Sequence, residues 1–429
     1  MTDIKIEVDP ADVGLDAGRL GRIDAYLAEY VDSGRLAGWL LGVSRGGRVA
    51  HLAAGGHRDR EANLPMELNT IFRAWSITKP VTSVAAMILV EEGIISLRDP
   101  LETFIPAFAD TRVYRRGPVS RPVSEPLQDP IRIGHLLSHT SGLTYGFHRA
   151  HPVDELYREA GFEWTTPPGM DLATCCERWA EFPLLFQPGS AWNYGVSSDV
   201  LGRVIEVASG QPLDEFLCQR VLAPLGMVDT GFWVPKQDAD RLAGFYLVGP
   251  DGRAVRDDHV AGTGLNRPAC LSGSAGLVTT LPDYHRFAQM LLGGGELQGV
   301  RLLAPGTVDL MARNHLPDGG DLQAVGRPVF SEMPFEGMGF GLGFAVVTDP
   351  VRTRGLYSAG EFGWHSAAST IFWVDPAADL TVIFMAQLMP SSAYPLHSRL
   401  RQLVNQAVVG RPRTRLEDDV VARPVRALG

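Results

Sequence analysis

The segment Ser-Ile-Thr-Lys at residues 76–79 constrains the fold and the chemistry of this chain more than any other feature. Lysine is rare in the sequence, because Lys5, Lys79 and Lys236 are the only lysines among 39 basic residues. Arginine stays charged at physiological pH, whereas a desolvated lysine can lose its proton and act as a base. A lysine placed three residues after a serine therefore indicates a nucleophile with its base.

The residues that follow predict a helix for this segment. Residues three apart on a helix lie on one face, so the Lys79 amine can reach the Ser76 hydroxyl. Pro80 is tolerated only in a first turn, which predicts a helix that begins near Ser76 and ends near Gly93. Its apolar stripe consists of Val81, Val84, Ala85, Ile88 and Leu89. The alternative is an ordinary serine N-cap followed by a solvated lysine.

A second motif, Asn-Tyr-Gly-Val-Ser at residues 193–197, follows Pro188 and Gly189 and precedes another helical pattern. A phenol beside a protonated lysine has a pKa below its reference value of about 10. Tyr194 could then relay the serine proton to a leaving alcohol. The alternative is a tyrosine packed in a loop.

A third motif is the glycine-rich segment 360–368, which leads into a predicted strand at 369–374. Small residues let the backbone approach a substrate closely. We expect an edge strand here, with a free N–H as the second donor to an oxyanion. The alternative is a glycine-rich turn before a core strand.

The order of predicted elements indicates an α/β fold of the α+β kind. A chain of 429 residues is too long for one compact core. We predict a sheet domain from residues 1–115 and 266–410, with a mostly helical domain of residues 116–265 inserted and a charged tail at 411–429. The elements are a helix at 16–33, strands at 39–44 and 48–54, a long loop at 109–132, helices over 133–265, strands at 276–280, 341–347, 369–374 and 380–385, and a helix at 395–409.

Composition excludes several classes of function. The net charge of −10 argues against binding of nucleic acid. No secretory signal and no membrane-spanning run is visible, so we expect a cytoplasmic protein with no membrane partner. The four cysteines lack the spacing of metal ligands and are expected to be free thiols. We expect no cofactor and no metal, and His135 with His139 is the nearest pattern to a metal pair.

Five segments together resemble the serine β-lactamase-like superfamily, and within it the class C β-lactamase-related esterases known as family VIII carboxylesterases. They are residues 72–80, 135–143, 188–194, 274–280 and 373–376, and the resemblance extends from about 14 to 408. It implies an antiparallel sheet flanked by helices with an inserted helical domain. It also implies Ser76 as nucleophile, Lys79 and Tyr194 as shared general base and acid, and the backbone N–H groups of Ser76 and Ala367 as oxyanion donors. His139 matches a structural stretch of the family and is expected to pack.

Two departures from the lactamase pattern favour a neutral substrate over a β-lactam. Val196 stands where the lactamases carry an asparagine, and Trp364-His365-Ser366 stands where they carry Lys-Thr-Gly. The related esterases usually show Trp-Gly-Gly, so His365 and Ser366 either narrow the cleft or His365 faces the other side of its strand. The residues expected to line the substrate pocket are Trp75, Val196, Trp364, His365 and Ser366.

The aromatic residues of segment 144–170 predict a lid or a cleft wall over an apolar pocket. They are Tyr145, Phe147, Tyr157, Phe162 and Trp164, with Trp75, Trp192 and Trp364 from elsewhere. We therefore expect a carboxylesterase that hydrolyses small or short-chain esters through an acyl-enzyme on Ser76, with a small-molecule ester as partner. The alternatives are an acyltransferase, a weak β-lactamase or amidase, and a binding protein without catalysis. The oligomeric state stays open.

A second serine needs to be weighed as nucleophile. Gly-Val-Ser-Arg-Gly at residues 42–46 matches the nucleophile elbow of α/β-hydrolases, which requires a strand, a sharp turn and a helix. Here a second apolar strand follows the turn, so the segment predicts a β-hairpin. Ser44 is the runner-up nucleophile.

Overall fold

The computed structural model describes residues 4–164, 166–327 and 335–410. The strands are β1 (Gly38–Arg45), β2 (Arg48–Asp59), β3 (Leu64–Pro65), β4 (Ile71–Arg73), β5 (Arg112–Arg116), β6 (Val123–Pro126), β7 (Tyr246–Val248), β8 (Ala254–Arg256), β9 (Val278–Thr280), β10 (Glu296–Leu297), β11 (Val300–Arg301), β12 (Met338–Phe340), β13 (Ala345–Val347), β14 (Phe362–His365), β15 (Ile371–Asp375), β16 (Leu380–Met385) and β17 (Leu388–Met389). The helices are α1 (Ala17–Asp32), α2 (Thr78–Glu91), α3 (Ile133–Leu137), α4 (Pro152–Glu159), α5 (Leu172–Ala180), α6 (Ser197–Ser209), α7 (Leu213–Leu217), α8 (Asp258–Ala261), α9 (Leu281–Leu292), α10 (Pro305–Met311), α11 (Leu322–Val325) and α12 (Leu396–Asn405).

An eight-stranded antiparallel sheet joins the two ends of the chain. Its strand order is β12-β13-β14-β15-β16-β1-β2-β3, so β1, the first long strand, lies beside β16, the last long strand. Val43 of β1 pairs with Val382 of β16, and the other side of β1 pairs with β2 across the predicted hairpin. The expected antiparallel sheet flanked by helices is confirmed.

Side chains of the central strands alternate between two hydrophobic cores. On β15, Ile371 and Trp373 pack in the core that holds α1 and α12, whereas Phe372 and Val374 pack in the core that holds α2 and α9. Successive residues of a strand point to opposite faces, which accounts for this division. The sheet is thus covered on both faces, and the second face supports the helix that carries Ser76 and Lys79.

Three predicted helices are confirmed with small changes in length. The helix predicted at 16–33 is α1, and the Asp16 carboxylate caps it by accepting a hydrogen bond from the Arg19 N–H at 2.8 Å. The helix predicted to start near Ser76 consists of a 3₁₀ turn, Trp75–Ile77, followed by α2. The final helix, α12, is shorter than the range 395–409. Residues 78–89 are all buried, so α2 is enclosed on every side and has no solvent-exposed face. The buried surface of the helix is therefore wider than the single apolar stripe that was predicted.

The predicted long loop at 109–132 is wrong in part. Strands β5 and β6 form a hairpin within it, and the Tyr114 N–H donates to the Leu184 carbonyl at 2.8 Å. Proline and arginine dominate the composition of this hairpin, which obscured its strand pattern. The strand predicted at 276–280 is β9, but it pairs with β4 in a separate two-stranded sheet.

The segment 133–265 contains strands as well as helices. Strands β7 and β8 pair with each other, and β7 also pairs in parallel with β17 near the end of the chain. The division into two domains stays a prediction, and the predicted tail 411–429 lies outside the described residues. None of the helices described within residues 4–410 is both long and apolar enough to cross a membrane.

Candidate active site

The 3₁₀ turn before α2 presents the Ser76 side chain to a cleft. Trp75 has a φ of +48°, in the left-handed region that a bulky residue seldom occupies. Such a residue is held by its surroundings, at a cost of about 1 to 3 kcal/mol. The Trp75 ring packs against Phe245 with centroids 5.7 Å apart, and the Ala74 N–H donates to the Leu277 carbonyl at 2.8 Å.

Ser76, Lys79 and Tyr194 meet in this cleft. Lys79 Nζ lies 3.3 Å from Ser76 Oγ, as the spacing of three residues along the turn predicts. Tyr194 Oη lies 2.8 Å from the same oxygen, although 118 residues separate the two in the chain. The Lys79 ammonium also donates to the Ser274 carbonyl at 3.1 Å and lies 4.5 Å from the centre of the Tyr194 ring. One hydroxyl thus contacts both groups that could take its proton.

Tyr194 is held from both ends. The Trp364 indole N–H donates to Tyr194 Oη at 3.3 Å, and its ring packs beside the phenol. His148 Nε2 lies 2.7 Å from the Tyr194 carbonyl. Since a carbonyl only accepts, His148 carries its proton on Nε2.

His139 and Tyr145 flank the Tyr194 ring at centroid distances of 5.1 and 5.3 Å. Burial, and then the charge of Lys79, hold the pKa of His139 well below its usual range, so this ring is neutral. Burial, followed by the charges of Tyr194 and Asp199, raises the pKa of the Tyr145 phenol well above its usual value. Both neighbours of Tyr194 are therefore uncharged at neutral pH.

The predicted oxyanion donors both lie on the cleft. Ala367 is in the turn between β14 and β15, and neither its N–H nor that of Ser76 donates to a protein acceptor within the described residues. Two free N–H groups aimed at one cleft can bind an oxyanion. The expectation of an edge strand at 369–374 is wrong, because this strand is β15, which lies between β14 and β16. The turn, and not a sheet edge, leaves the Ala367 N–H without a partner.

The cleft has a volume of about 300 Å³ and a mostly apolar lining that includes several aromatic rings. Four of the five predicted pocket residues line it: Trp75, Val196, Trp364 and His365. Ser366 is not among the lining residues and is fully buried. Its hydroxyl accepts hydrogen bonds from the N–H groups of Ala368 at 3.3 Å and Thr370 at 3.1 Å, and so holds the turn that carries Ala367.

His365 borders the cleft while its ring packs against His397 of α12, with centroids 5.6 Å apart. Burial, followed by the charges of His397, Arg401 and Lys79, holds the pKa of His365 well below its usual range. The ring is therefore neutral. It adds no charge to the cleft, and its contact with α12 agrees with the alternative in which His365 faces the other side of its strand.

The aromatic segment forms one wall of the cleft. Tyr145, Phe147 and Trp164 stack in a row, with centroid distances of 4.8 and 4.4 Å, and Phe162 also lines the cavity. Tyr157 does not belong to this wall, because it is fully buried against Phe182.

Trp192 also lies outside the cleft lining, behind the Tyr194 ring. It packs there as a fully buried residue. Tyr157 and Trp192, which were predicted to form part of the apolar wall, thus belong to the hydrophobic core.

Several residues of the site were not singled out from the sequence. Asp199 of α6 lines the cleft and contacts Ser272 and Ser274, more than 70 residues further along the chain. An acid in the first turn of a helix normally answers the helix dipole, so its sequence position alone carried no functional signal.

No group of three His, Cys, Asp or Glu side chains that could hold a metal ion occurs among the residues that the structure describes. His135, one member of the only candidate pair, accepts a hydrogen bond from the Arg132 N–H at 3.1 Å through Nδ1 and so supports the start of α3.

Ser44 lies on β1 within the predicted hairpin, with no helix after the turn. It is 1% exposed, and its hydroxyl lies 2.7 Å from His285 Nε2. A buried serine on a central strand cannot meet a substrate from solvent. The geometry of a nucleophile elbow is absent at this place.

A sequence profile for the family described as Beta-lactamase matches residues 23–406. Protein Rv1367c of Mycobacterium tuberculosis is 37% identical over 372 residues, which are 85% of this chain and 89% of that protein. Esterase EstB of Burkholderia gladioli is 32% identical over 420 residues, which are 92% of this chain and 98% of EstB. The solved structure of EstCE1, described as a hydrolase with promiscuous acyltransferase activity, has a TM-score of 0.76 at 27% identity and covers 93% of this chain and 100% of its own. The expected fold is thereby confirmed.

Proposed function

The chain belongs to the beta-lactamase family, and from this premise we propose that it is a serine carboxylesterase that hydrolyses small or short-chain esters through an acyl-enzyme on Ser76. One observation carries the proposal. The Tyr194 hydroxyl and the Lys79 ammonium lie 2.8 and 3.3 Å from the Ser76 hydroxyl, in a cleft with aromatic walls. The similarity to Esterase EstB supports the same class of reaction.

The acylation half of the reaction follows from these contacts. Ser76 Oγ attacks the ester carbonyl carbon while its proton passes to the pair formed by Lys79 and Tyr194. The carbonyl oxygen becomes an oxyanion, which the N–H groups of Ser76 and Ala367 stabilise. When the tetrahedral intermediate collapses, the bond to the alcohol oxygen breaks and the pair returns the proton to that oxygen. The alcohol leaves, and the acyl group stays on Ser76.

Deacylation repeats these steps with water. The pair takes a proton from the water, the water oxygen attacks the acyl carbon, and collapse restores Ser76 with the proton that the pair held. The balance is one ester and one water converted to one carboxylic acid and one alcohol. Lys79 and Tyr194 both contact the Ser76 hydroxyl, so the mechanism assigns the proton to the pair and not to one member.

The cleft favours neutral esters. Val196 adds an apolar surface where a lactamase has an amide, and the Trp364 ring occupies the place of a cation that would hold a carboxylate. A charged β-lactam would lose both contacts, so β-lactamase activity is expected to be weak.

Acyl transfer to an alcohol is the second candidate. The observation that favours it is the apolar lining of the cleft, which suits an organic alcohol as well as water. The description of EstCE1 as a hydrolase with promiscuous acyltransferase activity supports it as well. An added alcohol that diverts product from free acid to a new ester would identify this activity.

Hydrolysis of p-nitrophenyl butyrate by the wild type, Ser76→Ala and Ser44→Ala tests the proposal. Activity in the wild type and in Ser44→Ala, with a loss of about three or more orders of magnitude in Ser76→Ala, is expected. An active Ser76→Ala enzyme would show that another residue attacks the ester.

A further inference from the structure

Asp199 is a buried carboxylate at the inner side of the catalytic cleft. It lies in the first turn of α6, five residues after Tyr194, and is 5% exposed. We propose that Asp199 is a positioning residue, which holds Lys79 against Ser76 through Ser274 and opposes the loss of a proton from the pair of Lys79 and Tyr194. This inference rests on the proposed function and deepens it, because it says what sets the reactivity of the same site.

The carboxylate fixes the segment that contacts Lys79. Its Oδ1 accepts hydrogen bonds from the Ser272 hydroxyl at 2.5 Å and from the Ser274 N–H at 3.1 Å, and its Oδ2 accepts one from the Ser274 hydroxyl. The Ser272 hydroxyl also accepts a hydrogen bond from the Ala275 N–H at 3.1 Å. Three donors on one carboxylate hold residues 272–275 in a single arrangement.

The same segment then holds the lysine. The Ser274 carbonyl accepts a hydrogen bond from Lys79 Nζ at 3.1 Å, and the ammonium contacts Ser76 Oγ on its other side. Lys79 is only 2% exposed, so its position depends on these two oxygens and on the Tyr194 ring. A shift of the Ser274 carbonyl would therefore move the amine away from the nucleophile.

Asp199 is also a buried carboxylate on the same cleft as the Lys79 ammonium. Two acids are among the described residues that line the cleft, Asp199 and Glu163. Glu163 is half-exposed and forms an ion pair with Arg149. A buried cation is stabilised by a negative charge nearby. Asp199 supplies this charge on the far side of Ser274, whose N–H donates to Asp199 and whose carbonyl accepts from Lys79.

The other groups around Asp199 remain neutral at neutral pH. Tyr145 faces it from residues 144–148, and burial raises the pKa of this phenol. The Cys176 thiol lies near Asp199 on α5, and burial raises its pKa. The Cys270 thiol also lies near Asp199, and a hydrogen bond with Cys175, followed by burial, raises its pKa.

Further along α6, Arg203 and Glu206 pair with each other at 3.0 Å. Two histidines, His139 and His365, lie near Lys79. Burial is the main cause that lowers the pKa of each. The charges of this group that remain are the Asp199 carboxylate and the catalytic pair. The buried Arg73 guanidinium also lines the cleft, where it donates to the carbonyls of Ala243 and Thr263.

The negative charge of Asp199 predicts how the pH profile of the reaction rate should shift when this charge is removed. Removal of a proton from the pair lowers its charge by one, whichever member loses it, and a nearby anion opposes that loss. Without the Asp199 charge, the pair should lose its proton at lower pH. The acid limb of the rate profile should therefore move down by about one pH unit in Asp199→Asn. A carboxylate that only stabilised the fold would leave this limb in place.

The test is the rate at which a fluorophosphonate labels Ser76 as a function of pH, together with kcat/KM for p-nitrophenyl butyrate. Labelling needs an activated serine and no knowledge of the natural ester. The variants are Asp199→Asn and Asp199→Ser, either of which removes the charge if the other does not fold. A third variant, Ser274→Ala, keeps the charge and loses the hydrogen bonds of the Ser274 hydroxyl with Asp199 and Tyr145.

Asp375→Asn is the matched control. Asp375 is a buried carboxylate that accepts hydrogen bonds from the Ser358 hydroxyl at 2.6 Å and the Ala378 N–H at 3.0 Å, at the end of β15 that is remote from the Ala367 turn. We expect both Asp199 variants to label about tenfold more slowly at their plateau, with the acid limb moved down. Ser274→Ala should lose rate with the limb in place, and Asp375→Asn should match the wild type.

Wild-type rates in the Asp199 variants, or slower labelling with an unmoved acid limb, would overturn the positioning role. The proposed function would then still stand, because Ser76 would still be labelled. A wild type that is not labelled at Ser76 would instead reject the proposed function, and this inference with it.

Discussion

The indole of Trp364 donates its N–H to the hydroxyl of Tyr194 at 3.3 Å. Both groups are buried, and the tyrosine oxygen also lies 2.8 Å from Ser76 Oγ. A donor directed at this oxygen favours the phenolate over the phenol. In the proposed mechanism, Trp364 therefore acts on the proton of the catalytic pair as well as on the shape of the cleft.

Trp364→Phe keeps an aromatic ring and removes this donor. Since the phenolate form of Tyr194 loses a hydrogen bond, the acid limb of kcat/KM should move to higher pH, opposite to Asp199→Asn. A hydrogen bond to a charged group contributes about 1.5 to 3 kcal/mol, so the rate on the limb should fall by about 10- to 150-fold. The pH profile for p-nitrophenyl butyrate measures this, and an unmoved limb would contradict it.

Tyr194→Phe removes the proposed proton relay and keeps the ring that packs on Lys79. The kcat for ester hydrolysis should fall by about 10² to 10⁴, the usual contribution of general acid–base catalysis. Tyr26→Phe is the matched control, because the half-buried Tyr26 is remote from the cleft lining and its hydroxyl bonds only to that of Tyr30, at 2.9 Å, among the described contacts. A Tyr194→Phe enzyme with most of its activity would remove Tyr194 from the mechanism.

Trp164→Ala should change which esters the enzyme prefers. Trp164 is 49% exposed and stacks on Phe147 with an angle of 8° between the rings, so it can be removed without opening the core. An apolar chain that reaches this wall would lose about 1 kcal/mol of contact. We expect kcat/KM to fall about fivefold for p-nitrophenyl octanoate and to stay unchanged for the acetate. Equal losses for both esters would place the long chain elsewhere.

Acid should destabilise the fold through His397 of α12. Burial lowers the pKa of this histidine from 6.5 to about 4. Between these values the unfolded chain binds the proton and the folded protein does not, so the free energy of unfolding falls as the pH falls. The loss is about 1.4 kcal/mol per pH unit for this group.

His397→Gln should therefore lose less stability than the wild type between neutral pH and about pH 5, even if it is less stable at neutral pH. Urea unfolding at the two pH values measures the difference. His259→Gln, at an exposed histidine of α8, should lose as much as the wild type. A His397→Gln variant with the full wild-type loss would assign the effect to other groups, of which the half-buried His285 is the first to examine, because desolvation also lowers its pKa to about 4.

The parts of the site that follow from local spacing were predictable from sequence. Ser76 and Lys79 lie within one turn, so the distance between them follows from the geometry of that turn. Tyr194 was identified from its motif and from the helix that follows it. No periodicity in the sequence predicts that this helix, α6, packs against α2. That contact depends on the burial of the two helices.

The parts that depend on distant contacts were not predictable. Asp199 gains its role only when the segment 272–275 folds over α6. Ser366 was expected in the pocket, yet its hydroxyl holds the turn of Ala367, because a buried hydroxyl is satisfied by the nearest backbone N–H groups. The hairpin β5–β6 was hidden by its own composition, since proline is depleted in strands and the arginines interrupt the apolar alternation that marks a strand.

The most direct test of the central claim is to trap the acyl-enzyme. The wild type is quenched in acid during turnover of p-nitrophenyl butyrate, digested, and mapped by mass spectrometry beside Ser76→Ala. The account predicts a butyryl group on the peptide that contains Ser76, and none on that peptide of the variant. A butyryl group on a different residue, or full turnover by Ser76→Ala, would contradict it.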